Sequence, residues 1–137
     1  MILTLKPIPL NYVAQAWPLV EKHIAESQKH SGDDFTVDQV KLYVLTGQWL
    51  LIAVVDEIET IHGAVTVSFI NGPNARVGFI TNLGGKLVVN NDTVEQLKVI
   101  LKSQGATKMQ ATTRESMTRL LKSAGFYERY SVVEAKI

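Results

Sequence analysis

Residues 113–137 read TRESMTRLLKSAGFYERYSVVEAKI, and this closing stretch carries most of the information about the fold. It predicts a helix that begins at Thr113 and has one apolar face, made of Met117, Leu120, Leu121 and Ala124. Gly125 and Phe126 then end the helix. The alternating residues that follow predict a final strand, or a strand pair, over 126–137. A helix that leads directly into a strand is typical of a mixed α/β domain.

The first half of the chain predicts one strand and two helices. Pro7 and Pro9 interrupt the alternating opening ILTLKPIPL, so the strand is short. A helix begins near Pro18, and its buried stripe consists of Trp17, Val20 and Ile24. A second helix starts with a capping box formed by Thr36 and Gln39 and ends at Gly47. Its buried face consists of Val37, Val40 and Val44.

The second half predicts a three-stranded meander over 48–55, 60–70 and 76–83. A helix follows, with Asp92 as its cap, Glu95 completing a capping box, and Gly105 at its end. Its buried stripe consists of Val94, Leu97, Ile100 and Leu101. The stretch TKMQATT then predicts a short strand. This order predicts a mixed, mostly antiparallel sheet that contains one parallel pair and carries helices on both faces.

The composition limits the classes of function. A chain of 137 residues fits one domain over 1–137. Its formal net charge is +1, and no cluster of cations argues for nucleic acid as a partner. It has no cysteine, so thiolate nucleophiles and cysteine metal sites are excluded. The longest apolar run, 49–55, is too short for a membrane helix, and the first residues lack signal-peptide features. We therefore expect a cytoplasmic protein without a membrane partner.

Two glycines form the first candidate site. Gly84 and Gly85 join a predicted strand to the clearest predicted helix, where backbone N–H groups and a helix N-terminus can meet a phosphate. The alternative is that they form only a turn or a bulge. The dinucleotide motif GxGxxG and the phosphate-loop motif GxxxxGK[ST] are both absent.

Cations and tyrosines near the end of the chain form the second set of candidates. Arg114 and Arg119 can meet a phosphate beside Lys86, or they can lie in solvent and pair with carboxylates. Tyr127 and Tyr130 can act as proton donors or as packing aromatics.

The histidines form a third set, made of His23, His30 and His62. They are too scattered to predict a metal site. Trp17 and Trp49 fall within apolar stripes and are expected in the core.

The element order and the closing stretch together resemble the GCN5-related N-acetyltransferase (GNAT) superfamily over nearly the whole chain. The resemblance implies a sheet that splays between its fourth and fifth strands and holds acetyl-CoA there. It implies that backbone atoms of Ile80, Thr81 and Asn82 pair with the pantetheine arm of the cofactor. It also implies that Gly84, Gly85 and Lys86 meet the pyrophosphate, with Arg114 nearby.

The closing helix departs from the family at two positions. The family often ends with Asn-x-x-Ala-x-x-Leu-Tyr-x-x-x-Gly-Phe, and Gly125 and Phe126 match its last two residues. Arg114 then stands in place of the Asn, and Leu121 stands in place of the Tyr that often protonates the leaving thiolate. The phosphate loop also departs, because GGKLVVNN separates the glycines from the helix cap. This spacing is similar to that of small GNAT-like proteins encoded by tailed bacteriophages.

The resemblance implies an acetyl-CoA-dependent N-acyltransferase that passes its acyl group directly to an amine of a small molecule or a protein. The residues themselves assign no general base or acid. The alternative is a catalytically inactive protein of the same fold with a structural or host-interaction role, in a phage for example. In that case a homodimer could form through an exposed sheet edge.

Overall fold

The computed structural model describes residues 1–30, 34–85, 89–113 and 115–137. In that part of the chain the strands are β1 (Thr4–Pro7), β2 (Trp49–Val55), β3 (Ile61–Asn71), β4 (Arg76–Gly85) and β5 (Lys108–Ala111). The helices are α1 (Val13–Gln28), α2 (Val37–Leu45), α3 (Asn91–Ser103) and α4 (Glu115–Ser123), and a 3-10 turn, Leu10–Tyr12, precedes α1.

The described strands form one mixed sheet in the order β1-β2-β3-β4-β5. Neighbours from β1 to β4 are antiparallel, whereas β4 and β5 are parallel. The crossover between β4 and β5 contains α3, as a parallel connection requires. The predicted fold class, a mostly antiparallel sheet with one parallel pair, is therefore confirmed.

Helices cover both faces of the sheet, and each face has its own apolar cluster. On one face α1 and α2 pack on β2 and β3 through residues that include Trp17, Ile24 and Val44. On the other face α3 packs through Leu97 and Leu101. Burying side chains of this size contributes roughly 1.5–3 kcal/mol each, so these clusters hold the layers together. Trp17 and Trp49 both lie in the first cluster, as predicted.

The observed start of one helix agrees with the start predicted from the sequence, and the starts of two others differ from their predictions. The capping box of Thr36 and Gln39 at α2 is present. The first helix begins at Val13 rather than near Pro18, which lies inside it. The cap of α3 is Asn90 rather than Asp92, because Asn90 accepts a hydrogen bond from the backbone N–H of Thr93. The Thr93 hydroxyl accepts one from the backbone N–H of Asn90 in return, so the box forms two residues early.

The buried face of α4 is narrower than its sequence predicts. Leu121 and Ala124 are buried, but Leu120 is 51% exposed, so the prediction for Leu120 is wrong. Consecutive helical residues point about 100° apart, and the short α4 meets the core on one side only. In this structure Leu121 faces the core and Leu120 faces solvent.

The predicted final strand is also wrong, because residues 124–137 contain no strand. Phe126 packs against the second cluster, and the chain beyond it lies on the surface. Alternating residues form a strand only where a neighbouring strand supplies hydrogen bonds. Within the described chain, no strand pairs with this segment.

Candidate functional site

The sheet opens between β4 and β5. Their pairing ends where Ile80 lies opposite Ala111. Beyond that point β4 continues to Gly85, and no described strand neighbours it on that side. We call residues Thr81–Gly85 the open edge of β4. Such an edge presents backbone donors and acceptors to any extended ligand with amide groups.

A β-bulge lies where this open edge begins. Thr66 of β3 pairs with Asn82 and Val67 pairs with Ile80, so Thr81 is the extra residue. Its hydroxyl lies 2.7 Å from the Thr66 hydroxyl and donates to the Thr66 carbonyl at 3.1 Å. Bulges bend a strand and re-aim its backbone groups, and they are common beside active sites. The two threonines thus fix the backbone direction at the mouth of the opening.

Asn82 ties the open edge to the end of α1. It is 2% exposed, and its amide nitrogen donates to Ser27 Oγ at 3.1 Å and to Gln28 Oε1 at 2.6 Å. Its amide oxygen accepts from the Thr66 hydroxyl at 2.8 Å. The backbone N–H of Leu83 also donates to Ser27 Oγ, at 3.3 Å. Because these hydrogen bonds use the Asn82 side chain, only backbone atoms of Asn82 are available for contacts at the open edge.

Gly84 lies directly beneath α1. A Cβ at this position would lie 2.0 Å from the carbonyl oxygen of His23. The glycine therefore allows helix and strand to approach closely, which explains why this residue is small. Gly85 ends β4 with φ of +121°, a conformation that other residues rarely adopt.

An apolar cleft lies on the opposite face of β4, between α3 and α4. Its walls include Ile80, Leu83, Leu97, Leu121 and Phe126. The space between them is about 20 Å³, enough for roughly one water molecule. Leu121 is 4% exposed and presents only methyl groups here. The cleft therefore supplies apolar contact but no proton donor from α4 at this position.

The N-terminus of α3 follows the open edge in sequence. Its backbone dipole favours an anion, and the Asn90 side chain already caps the N–H of Thr93. Asp92 supplies an acidic group in the first turn. Its carboxylate accepts a hydrogen bond from Gln96 at 3.0 Å. The helix end is thus partly satisfied by the protein's own groups.

A cluster of titratable groups lies at the β2–β3 turn. His62 Nε2 lies 2.8 Å from a carboxylate oxygen of Asp56, and this hydrogen bond is the main reason that the pKa of Asp56 is lowered. Backbone N–H groups of Thr60 and Ile58 also donate to Asp56 and act in the same direction. The pair is fixed in place by its own turn.

His23 on α1 lies close enough to interact with this cluster. Burial lowers the pKa of His23, and the charges of Lys22 and His62 lower it further. Its Nε2 atom is buried and has no hydrogen-bond partner among the described residues. The imidazole is therefore held in its neutral form more strongly than in water. Among the described residues, no group of three or more His, Asp or Glu side chains is placed to hold a metal ion.

Most of the predicted cofactor-binding residues belong to one strand, β4. Ile80, Thr81, Asn82, Gly84 and Gly85 are consecutive or nearly so along the end of β4. Lys86 and Arg114 lie outside the described residues.

The tyrosine candidates lie elsewhere. Tyr127 and Tyr130 are 79% and 70% exposed, so neither lines the cleft. The sequence did not identify Ser27, Gln28 or Thr66, because polar residues at a helix end or within a strand carry no signal of their partners.

No protein-family model and no curated protein sequence matches this chain. Solved structures do match. A predicted acetyltransferase from Clostridium acetobutylicum, solved with acetyl-CoA, has a TM-score of 0.68 at 13% identity, with 98% of this chain and 96% of that chain covered. An aminoglycoside acetyltransferase from an uncultured soil metagenomic sample has a TM-score of 0.71 at 9% identity, with 98% and 95% covered. The glucosamine-6-phosphate N-acetyltransferase of Arabidopsis thaliana has a TM-score of 0.64 at 11% identity, with 100% and 99% covered.

This chain has the GNAT fold. In each comparison the likeness extends over nearly the whole length of both chains. At such low identity it is a likeness of fold. In the described part of this chain, no helix is long and apolar enough to cross a membrane.

Proposed function

We propose that this protein is an acetyl-CoA-dependent N-acyltransferase that passes an acyl group directly to an amine of a small molecule or a protein. The observation that carries the proposal is the open edge of β4, where the parallel partner stops at Ala111 and the strand runs on to Gly85. An extended ligand with amide groups fits such an edge. The solved structure of the Clostridium acetyltransferase, which contains acetyl-CoA, has the same fold and supports this choice of ligand.

The pantetheine arm would bind along this edge through backbone atoms of Thr81 and Asn82, beginning beside Ile80, where the pairing with β5 ends. Two features make these atoms suitable. Thr66 fixes the bulge at Thr81, and Ser27 and Gln28 fix Asn82, so the backbone is ordered before the ligand arrives. The adjacent cleft has room for only about one water, so the arm lies along the strand and not within the cleft.

The pyrophosphate would meet the chain that follows β4. In this proposal Gly84 and Gly85 allow close approach, and Lys86 and Arg114 supply positive charge. Gly84 is buried beneath α1, so only its backbone atoms at the edge of the strand would be available to the pyrophosphate. Gly85 is exposed and has positive φ, so it is the better placed of the two to turn its N–H toward an anion.

The reaction needs little from side chains. A neutral amine attacks the thioester carbonyl, a C–N bond forms, and the C–S bond breaks to release the CoA thiolate. Backbone N–H groups of the open edge stabilise the oxyanion. Leu121 occupies the position of the family's Tyr and has no proton to donate, so the thiolate takes its proton from solvent. The amine loses its proton to solvent as well. Rates should therefore rise with pH as more of the acceptor amine is neutral.

The apolar side chain of Leu121 also supports a second candidate function, one without catalysis. Because its buried side chain cannot act as an acid, a GNAT-fold protein without catalysis remains the rival account. Such a protein would have a structural or host-interaction role, and the phage-like spacing after Gly85 supports the same idea.

A thiol-release assay separates the two functions. The chain has no cysteine, so a colorimetric thiol reagent added to protein, acetyl-CoA and an amine reports only released CoA. The acceptor panel should include an aminoglycoside, an amino sugar phosphate, a polyamine and a lysine peptide. Turnover with any of them above the uncatalysed rate supports the enzyme. Binding of acetyl-CoA without turnover on any acceptor supports the rival.

Calorimetric titration with acetyl-CoA tests the proposed phosphate contacts. Lys86→Ala and Arg114→Ala should each weaken binding about tenfold or more if they contact the pyrophosphate, since charged hydrogen bonds contribute about 1.5–3 kcal/mol. Lys41→Ala removes an exposed cation on α2 and serves as the matched control. Equal affinities for all three variants would show that the pyrophosphate lies elsewhere.

A further inference from the structure

α1 covers only part of the sheet beside the open edge of β4. The helix crosses β4 from Gly84, above which His23 lies, to Asn82. Its last residue, Gln28, accepts a hydrogen bond from the Asn82 amide nitrogen, and the helix ends there. Residues of β4 that precede Asn82 on this face therefore lie beyond the end of α1.

The side chains of this uncovered part of the sheet carry no charge. Phe79 of β4 pairs with Ser68 of β3 on one side and with Gln110 of β5 on the other. Ile80 packs in the second cluster on the far face, so Phe79 faces the α1 side, because successive residues of a strand alternate. Ser68, Phe79 and Gln110 are all half-buried. We call these three residues the Phe79 patch, which adjoins the open edge at Thr81.

Aromatic rings form a wall on the β2 side of the Phe79 patch. Trp49 of β2 pairs with Ser68, so its backbone lies two strand spacings, about 10 Å, from that of Phe79. The Phe35 ring lies 4.8 Å from the Trp49 ring, edge to face. The Tyr43 ring stacks on the Trp49 ring at 4.5 Å. The patch and its wall thus combine aromatic surface with uncharged polar groups.

The hydrogen bonds that connect this wall to the open edge join uncharged groups. The Gln28 amide nitrogen donates to the Phe35 carbonyl, and its amide oxygen accepts from Asn82. The Thr81 hydroxyl bonds to Thr66. None of these groups is a carboxylate or an imidazole. They therefore supply neither a general base for an ammonium group nor a counter-ion for it.

We propose that the acceptor is an arylamine, bound on the Phe79 patch with its ring against Phe35 and Trp49. This inference rests on the proposed acyl transfer. The nitrogen lone pair of an arylamine is delocalised into its ring, so the nitrogen carries no charge at neutral pH and needs no base. An alkylamine resembles lysine, whose pKa is about 10, so only about one molecule in a thousand is neutral at pH 7. A planar ring also gains from stacked or edge-to-face contacts with aromatic side chains.

The arylamine approaches the thioester from the α1 side of the sheet. On the far face, the cleft between α3 and α4 offers only about 20 Å³, too little for a ring. The arylamine nitrogen attacks the thioester carbonyl beside Thr81, a C–N bond forms, and the C–S bond breaks. The nitrogen loses one proton to solvent and the CoA thiolate takes one from solvent. No side chain has to carry a proton in this transfer.

Two isomeric amines test the acceptor class in the thiol-release assay. p-Toluidine is an arylamine, and benzylamine is an alkylamine of the same composition. At pH 7 we expect kcat/KM for p-toluidine to exceed that for benzylamine about tenfold or more, because nearly all benzylamine is protonated. Between about pH 6.5 and about pH 8.5 the p-toluidine rate should stay level, whereas any benzylamine rate should rise about tenfold per pH unit.

The outcomes separate the acceptor class from the proposed activity. Faster turnover of benzylamine, an amino sugar or a polyamine than of p-toluidine would overturn the arylamine class and leave the acyltransferase standing. Acetyl-CoA binding without turnover of any amine would overturn both. Asp34→Asn removes the exposed carboxylate next to Phe35 and should change kcat/KM for p-toluidine less than about twofold. A tenfold loss would show that the acceptor binds through an ion pair instead.

Phe79→Leu tests the position of the acceptor. The change keeps an apolar side chain but removes the ring, so KM for p-toluidine should rise about three- to tenfold. Acetyl-CoA affinity, measured by calorimetry, should not change and shows that the variant is folded. Phe69→Leu is the matched control, because Phe69 is half-buried on the far face of β3 and packs in the second cluster. Equal changes of KM in the two variants would refute this site.

Discussion

Among the described glycines with an ordinary φ, Gly84 is the one whose change to alanine should destabilise the protein most. The new methyl group would lie 2.0 Å from the His23 carbonyl oxygen and 2.8 Å from its carbonyl carbon. Contacts shorter than 3.0 Å are essentially not found for real Cβ atoms. The clash is between the Cβ on the backbone of β4 and the His23 backbone carbonyl of α1. Neither can rotate away as a side chain can, so α1 must move away from β4 as a unit. That movement would also disturb the hydrogen bonds that the Asn82 amide nitrogen and the Leu83 backbone N–H donate to Ser27 Oγ.

The expected loss is at the upper end of the range for overpacked cores, about 3 kcal/mol. For a domain of this size that corresponds to a fall in Tm of roughly 10 °C. Urea unfolding followed by circular dichroism measures it directly.

Two other glycines provide a graded comparison. At Gly78 a Cβ would lie 2.8 Å from Cδ1 of Leu101, which is the end of a flexible side chain, so a loss of about 1 kcal/mol is expected. At Gly72 the nearest atom is 3.5 Å away, an ordinary contact, so the change should be within about 0.5 kcal/mol. If Gly84→Ala were as stable as Gly72→Ala, the close approach of α1 to β4 would be wrong.

Three further changes test other parts of the structure. Asn82→Ala should cost about 2–3 kcal/mol in urea unfolding, because it removes the hydrogen bonds that the buried Asn82 side chain makes with Ser27, Gln28 and Thr66, whereas a cost below about 0.5 kcal/mol would mean that the network is not formed. Leu121→Ala should cost about 2–5 kcal/mol and Leu120→Ala under about 0.5 kcal/mol; similar costs for the two would contradict the orientation of α4. The pKa of His23 is lowered in the fold, so the unfolded state binds more protons below about pH 6.5 and stability should fall as pH drops through that value. His23→Gln should flatten this slope, and an unchanged slope would assign the titration to another group.

Much of the fold could be predicted from the sequence because its signals are local. The meander, the parallel strand and the capping box at Thr36 all follow from periodicity, turn residues and short-range hydrogen bonds. The two glycines at 84 and 85 also correctly indicated where β4 ends. What the sequence could not show is why Gly84 is glycine, since its neighbour, His23, is distant in the chain.

The errors share a physical cause. Leu120 and Leu121 are equally apolar, and only the direction from which α4 meets the core decides which is buried. The pattern over 126–137 is that of a strand, but a strand needs a partner, and local residues do not reveal whether one is present. Asn90 and Asp92 are both good caps, and the packing of the helix selects one. Tertiary contacts decided each case.

The most direct test of the proposed cofactor site is an NMR titration of the isotope-labelled protein with acetyl-CoA. Backbone amides of Thr81, Asn82 and Gly85 on the open edge should shift in a saturable way. Amides of Val77 and Gly78, where β5 already covers the strand, should shift much less. Free acetate at the same concentration should shift none of these amides. Saturable shifts confined to the open edge are the predicted result. No shift at millimolar acetyl-CoA, or shifts confined to another face of the protein, would contradict the account.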